Sequence, residues 1–395
     1  MFFKKRKIFV FISILALTVQ SCKKEVTTLT STIVDTAQNI YKINVLSNPE
    51  PGRIYLSPSF PGNHVDGQIM IVDEKGHVIQ QKTMNGTITN FECWKINGKT
   101  RYSYEVYNVN ASVMPGIGYW PGYELITDSN FNEIRRVWLS AYNDVNTTQQ
   151  PNIDGHDFIL IDDNHYILES FYEKTVTNIP ASLNPVAGGV KVISDVIQEV
   201  QNDRVVWQWE GTNDTTFYLA SLEENKFNDT TTIFDYLHLN SMFIDPRDNN
   251  LICSFRNLDQ VVKIQRGTGK ILWRLGGTNG DFPLNDDQVF LRQHHATLTD
   301  SNQTLLLFDD GLALQRPYSR ILEFNVNEIN RSVVSFSSFN IPEPFTQYMG
   351  SVQKRGDTYF IGGGTANYVL EVNYRTGDKL LELQSGENFY RAYKY

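Results

Sequence analysis

The chain is expected to be all-β, folded as a six-bladed propeller, on three observations. Twenty Tyr, twenty-three Phe and six Trp accompany frequent Val, Ile and Thr, a strand-forming composition with turn residues spread throughout. No sustained helical period appears, apart from a short stretch around Ala187–Val200. A pattern of strand, turn, strand, turn, strand, Gly-containing turn and strand recurs six times at roughly 40–60 residues, the spacing of propeller blades.

The units follow in order. The first runs from Gly52-Arg-Ile-Tyr-Leu through Gly67-Gln-Ile-Met-Ile-Val, and the second from Phe91 to Arg136-Val-Trp. The third opens at His156 and ends at Val205-Val-Trp-Gln-Trp; the fourth opens at His238 and ends at Ile271-Leu-Trp-Arg-Leu. The fifth spans His294 to Val333-Val-Ser-Phe, and the sixth Met349 to Leu380-Leu-Glu-Leu. Seven blades, with the N-terminal segment completing one, is the competing count, and residues 26–60 could instead form a separate small β domain. Long insertions are expected at 108–123, 142–154, 178–203, 211–234 and 277–291, several of them just ahead of a histidine.

Residues 1–21 read as a lipoprotein signal peptide. Lys4-Lys5-Arg6-Lys7 precedes an apolar run from Ile8 to Val19, too short to span a bilayer, and Val19-Gln20-Ser21-Cys22 has the form of a lipobox with Cys22 as the lipidated residue. An ordinary signal peptide ending near Ser21 is the alternative. The expected protein is exported and membrane-anchored, facing the periplasm or the cell surface. Residues 22–50 are the tether and an N-terminal strand, and residues 51–395 the propeller. Without the leader, Cys93 and Cys253 remain, with no metal pattern of paired cysteines and with disulfide pairing left open. A net charge of −9 and a pI near 5.3 exclude nucleic acid as the partner.

Seven histidines occur in the chain, and three stand at one phase of the repeat: His156, His238 and His294, each followed by an apolar run and an Asp-containing turn at Asp162, Asp245 or Asp300. In a propeller, the first strand of each blade lines the channel, so these side chains should ring one end of it. Corresponding positions near Glu92 and Met349 show that the fold does not demand histidine there. Arg256 ends the strand Leu251-Ile-Cys-Ser-Phe and should return to the same rim; Asn240, two residues after His238, should face the same side. His64, His77 and His165 read as surface loop residues. Three imidazoles could hold zinc, but an adjacent guanidinium repels a cation and welcomes a tetrahedral oxyanion such as a sulfate or phosphate ester. One imidazole could then act as nucleophile.

These residues resemble the bacterial aryl-sulfate sulfotransferases. The likeness runs over roughly residues 50–390 and is carried by Gly155-His156-Asp157-Phe158, Asp235-Tyr-Leu-His238-Leu-Asn240-Ser, Ser254-Phe-Arg256, the run Ile264 to Gly277, and Arg292-Gln293-His294-His295-Ala296. The resemblance implies a six-bladed propeller that moves a sulfuryl group from a phenolic sulfate to a phenol, with no nucleotide sulfate donor and no cofactor or metal. It makes His294 the nucleophile through a sulfohistidine, with ping-pong kinetics, and assigns sulfate binding to His156, His238 and Arg256. Asn240 and His295 are taken as substrate-binding neighbours. The implied partners are the phenolic donor and acceptor and, through Cys22, the membrane; a homodimer is left open. Two other readings remain. Thr268-Gly-Lys-Ile-Leu-Trp273 looks like a quinoprotein docking repeat, although Trp273 and Trp207 read as blade packing, and the many aromatics suit a surface binding propeller.

Overall fold

The computed structural model describes residues 30–35, 40–58, 66–107, 118–119, 122–147, 153–299, 301 and 303–395. The signal peptide, Cys22, His64 and Asp300 lie outside these residues. The described residues form six antiparallel sheets arranged as a six-bladed β-propeller. Blade two comprises Thr87–Ile96, Lys99–Tyr107, Gly122–Asp128 and Glu133–Val137; blade three comprises Phe158–Asp162, His165–Val176, Val190–Gln201 and Arg204–Glu210. Blade four is built from Leu239–Ile244, Leu251–Phe255, Gln260–Ile264 and Ile271–Gly276, and blade five from His294–Leu298, Leu305–Asp309, Arg320–Asn327 and Ser332–Asn340. Blade six holds Ser351–Arg355, Thr358–Gly362, Tyr368–Asn373 and Lys379–Ser385, and the hairpin Thr30–Asp35 and Ile40–Val45 adds to its outer edge.

Blade one is assembled from both ends of the described chain. Ile54–Leu56, Asp66–Val72 and Val78–Asn85 form its outer strands, and Ala392–Lys394 is its innermost strand, with Tyr393 opposite Tyr55. The sequence repeat opens this unit at Gly52 and does not reveal the closing strand, because three residues are too few to display a period.

Strand alternation explains how the blades stack. Successive side chains point to opposite faces of a strand, and both faces here are covered, so the middle strands read as continuous apolar runs. Leu251, Cys253 and Phe255 pack toward blade three, whereas Ile252 packs toward blade five. Leu305 and Leu307 likewise face blade four, and Leu306 and Phe308 face blade six. Each pair of neighbouring blades shares such a core among the described residues. Trp273 and Trp207 are buried within these cores, and Cys93 and Cys253 are both free and buried.

Two sequence expectations change. The possible helix around Ala187–Val200 is the strand Val190–Gln201, paired over its whole length with His165–Val176. Ile193, Val196, Ile197 and Val200 fall at a helical spacing because the strand is buried on both faces and takes buried polar residues, Ser194, Asp195, Gln198 and Glu199, between its apolar ones. The C-terminal part of the insertion expected at 178–203 is therefore sheet. His165, expected in a surface loop, is part-buried in a bridge between blades, its Nε2 2.7 Å from Glu199 Oε1, which also accepts from Arg266. Among the described residues no helix is long and apolar enough to cross a membrane.

The inner ends of the blades are braced by the Arg391 guanidinium, which is 1 % exposed. Its Nη2 donates to the Asn240 carbonyl at 2.6 Å and its Nη1 lies 3.3 Å from Asp157 Oδ1. Asp157 Oδ2 in turn accepts from the Met242 amide at 2.8 Å. Removing one partner of such a buried pair strands the other, which costs about 3–5 kcal/mol. Arg391→Met should therefore lower the unfolding free energy obtained from chemical denaturation by that order, and an unchanged value would remove the brace from the account of stability.

A histidine-lined cavity at one mouth of the channel

One end of the channel holds a cavity of about 620 Å³ whose lining includes His156, His238, Arg256, His294, Tyr348 and Tyr390. The four residues given sulfate-handling roles from the sequence thus meet around one space. Each histidine stands where a loop enters an inner strand. The His156 ring lies edge-on to that of His238, with centroids 5.0 Å apart, and Phe171 packs against both rings at 5.2 Å. Arg256 follows Phe255 at the end of the adjacent strand, and its backbone amide donates to the His238 carbonyl at 2.9 Å.

Each imidazole has its Nδ1 beside an aspartate. His156 Nδ1 pairs with Asp154 Oδ2, and His238 Nδ1 lies 2.6 Å from Asp235 Oδ2. His294 Nδ1 is 2.8 Å from Asp310 Oδ2, but the angle is poor for a hydrogen bond there; the ring N–H is directed to the Arg292 carbonyl, 3.2 Å away. A carbonyl can only accept, so this contact assigns the proton of neutral His294 to Nδ1 and the lone pair to Nε2. Burial, followed by the nearby Arg256, His238 and His156, holds the His294 imidazole well below the usual histidine range. His238 is lowered in the same direction, again chiefly by burial and then by His156 and Arg256. Both rings are neutral at neutral pH.

Lys226, which also lines the cavity, is paired with Glu224, and the cation beside the histidines is Arg256. Its Nη1 donates to Asn257 Oδ1 at 3.1 Å, its guanidinium lies over the Tyr348 ring at 5.2 Å, and among the described residues no carboxylate comes within ion-pair distance. A planar donor fork left without an anion, beside three imidazoles, is a receptor for an oxyanion. Gly155 has a local reason as well. A side chain there would collide with the Glu105 carboxyl, since its Cβ would fall 1.4 Å from Oε2.

Asn240 and His295 do not line this cavity. Asn240 is fully buried and braces blade five, its Nδ2 donating to the Gln293 carbonyl at 2.8 Å. A register shift between Leu239 and Ser241 breaks the alternation that placed Asn240 beside His238. A similar shift follows His294, where His295 adopts φ 48° and lines a second cavity of about 660 Å³ at the opposite mouth, with Arg391 and Tyr393. His295 Nδ1 accepts there from the Val352 amide at 3.2 Å. In blade two the same kind of bulge makes Thr89, not Glu92, the neighbour of the histidines; Glu92 lines the far cavity.

The residues that sequence reasoning missed are the three aspartates. Asp154 and Asp235 are signalled by short Asp-x-His and Asp-x-x-His spacings, whereas Asp310 reaches His294 only through the fold. Tyr348 and Tyr390 carried no sequence signal.

The family model for arylsulfotransferase (ASST) matches residues 96–395. The chain belongs to this family. Membership carries sulfotransferase activity, with a phenolic sulfate as donor and a phenol as acceptor. No curated protein matches the arylsulfotransferase chain in sequence. Among solved structures it is similar to a protein of unknown function from Bacteroides caccae, at 9% identity and a TM-score of 0.48, covering 87% of this chain and 98% of that one. It is also similar to the Cps50 (Swd1) β-propeller domain of Myceliophteria thermophila, at 11% identity and a TM-score of 0.44, covering 91% and 90% of the two chains.

Burial raises the Asp235 carboxyl from 3.8 to about 7, although Arg256 and His156 pull it back down. The folded arylsulfotransferase therefore binds more protons at this group than the unfolded chain does between those values, and its stability falls as pH rises through that interval. Asp235→Asn removes this component. The melting temperature of the variant should decline less between pH 4 and pH 7 than that of the parent, and parallel profiles would show that Asp235 titrates normally.

Proposed function

We propose that the enzyme transfers the sulfuryl group through a sulfohistidine on His294, in two half-reactions of a ping-pong cycle. The observation that carries this reading is the neutral His294 ring, with its proton on Nδ1 and Nε2 left as the lone-pair nitrogen of a cavity that also holds Arg256. In the first half-reaction Nε2 attacks sulfur, the S–N bond forms, and the S–O bond to the phenol breaks. His156, paired through its Nδ1 with Asp154, supplies a proton to the departing phenolate. In the second, the same base removes the acceptor phenol's proton, the phenolic oxygen attacks sulfur, and the S–N bond breaks to regenerate His294. Arg256 grips the sulfuryl oxygens throughout, where positioning and charge stabilisation supply most of the rate. Tyr348, under the guanidinium, and Tyr390, beside His156, give the cavity aromatic walls suited to a phenyl ring.

The reading extends to place. The leader pattern supports export and attachment to a membrane through a lipid on Cys22, with the propeller facing the periplasm or the cell surface.

His294→Ala should abolish turnover of a chromogenic aryl sulfate and the covalent adduct together. Intact mass spectrometry of the variant after incubation with donor checks this, and a sulfo-adduct of normal yield would overturn the assignment. Arg256→Lys keeps the charge but loses the planar fork, so kcat/KM should fall by about 10²-fold or more. Near-parental kinetics would remove the clamp from the mechanism.

A further inference from the structure

Beside the histidine wall lies a second constellation, which shares His156 with the sulfuryl-transfer site and adds two carboxyls that transfer does not use. Asp154, His156 and Glu169 each present one ligand atom, and the three atoms all lie within 4.8 Å of one another. Asp154 and His156 come from the loop entering blade three, and Glu169 comes from the strand His165–Val176 of the same blade. Glu169 is 1 % exposed, and among the described residues neither of its carboxylate oxygens has a hydrogen-bond donor. Asp195 on the neighbouring strand also has a buried oxygen, Oδ2, without a donor, its Oδ1 being taken by the Leu239 amide at 2.6 Å. Arg391 is the cation that faces this group, and it is already engaged by Asp157, the Asn240 carbonyl and Tyr393.

A buried carboxylate with no donor and no free counter-ion is costly, and the cost is removed when a cation occupies the site. We propose that Asp154, His156 and Glu169 bind one divalent first-row metal ion of the manganese or zinc class. Two carboxylate oxygens and one imidazole nitrogen suit such ions; calcium and magnesium prefer sites built from oxygen alone. The donor set differs from the three-histidine site weighed in the sequence, because His238 and His294 take no part in it. An imidazole on the ion keeps its second ring nitrogen for the cavity, so one residue joins the two sites. The ion fixes the His156 ring and adds positive charge beside the place where an oxyanion is held.

The proposal does not rest on sulfuryl transfer, since binding is measured without substrate. EDTA-treated full-length protein is titrated with Mn²⁺ followed by electron paramagnetic resonance, and with Zn²⁺ followed by metal analysis after dialysis. One equivalent per chain is expected for at least one ion, with a rise in melting temperature on loading. Glu169→Gln and Asp154→Asn, each checked for native circular dichroism, should weaken binding by about tenfold or more. Glu124→Gln alters another buried carboxyl that has an oxygen without a donor, on blade two and outside the triad, and should bind like the parent. Absence of any saturable site up to about millimolar metal overturns the proposal. So does binding that survives Glu169→Gln undiminished, which would place the ion elsewhere, and the melting shift of the unmutated protein decides the matter if a variant fails to fold.

Discussion

The Arg391 guanidinium is the interaction on which the rest of the propeller depends. It arises just before the strand that completes blade one, and it reaches the entry of blade three through Asp157 and the inner strand of blade four through the Asn240 carbonyl. Tyr393, two residues on and within the closing strand, donates to Glu92 of blade two at 3.0 Å. Four blades are thus tied across the axis by a segment of a few residues. Tyr390 lines the histidine cavity and Arg391 lines the opposite one, so the floor between the two mouths is made of this segment. The histidine-lined end is a cup with a floor because of it.

Burial does two opposite things inside that cup. It strips charge from the imidazoles, leaving His294 neutral and able to attack, and it raises carboxyls such as Asp235 and Asp310 toward their neutral forms. Arg256 is lowered by the same burial but starts from so high a value that it stays charged. The cavity therefore combines uncharged nucleophilic nitrogens with a persistent cation, a pairing that water-exposed histidines would not give. The repeated histidine position supplies equivalent places in the fold, and the unequal Nδ1 partners make those places chemically different.

Much of this was readable from the chain, and the failures have definite causes. Strands such as Leu305–Asp309 announced themselves because both of their faces are apolar and turns bound them closely. The convergence of His156, His238 and His294 followed from repeat phase, since a propeller converts sequence period into rotation about an axis, and that of Arg256 from the antiparallel return of the next strand. Asn240 was misplaced because a bulge inserts one residue and reverses which side a neighbour faces, and no composition rule marks it; His295 turns away from His294, as alternation along a strand requires, and so reaches the opposite mouth. Val190–Gln201 looked helical because double-sided burial erases the alternation that distinguishes a strand. Asp310 was invisible because its contact with His294 is made between strands and not along one.

The closing strand has a consequence for the order in which the molecule can form. Tyr393 and Glu92 bond to one another across 301 residues of chain. Blade one has no inner strand, and the cup no floor, until that late segment arrives. Blades two to five can pair locally as hairpins, but the histidine-lined end cannot acquire its geometry piecemeal. Contacts of such separation slow folding, because loop closure comes before the contacts that reward it. Activity should therefore appear only at the last step of assembly, so a partly folded chain carries the histidines without yet being an enzyme.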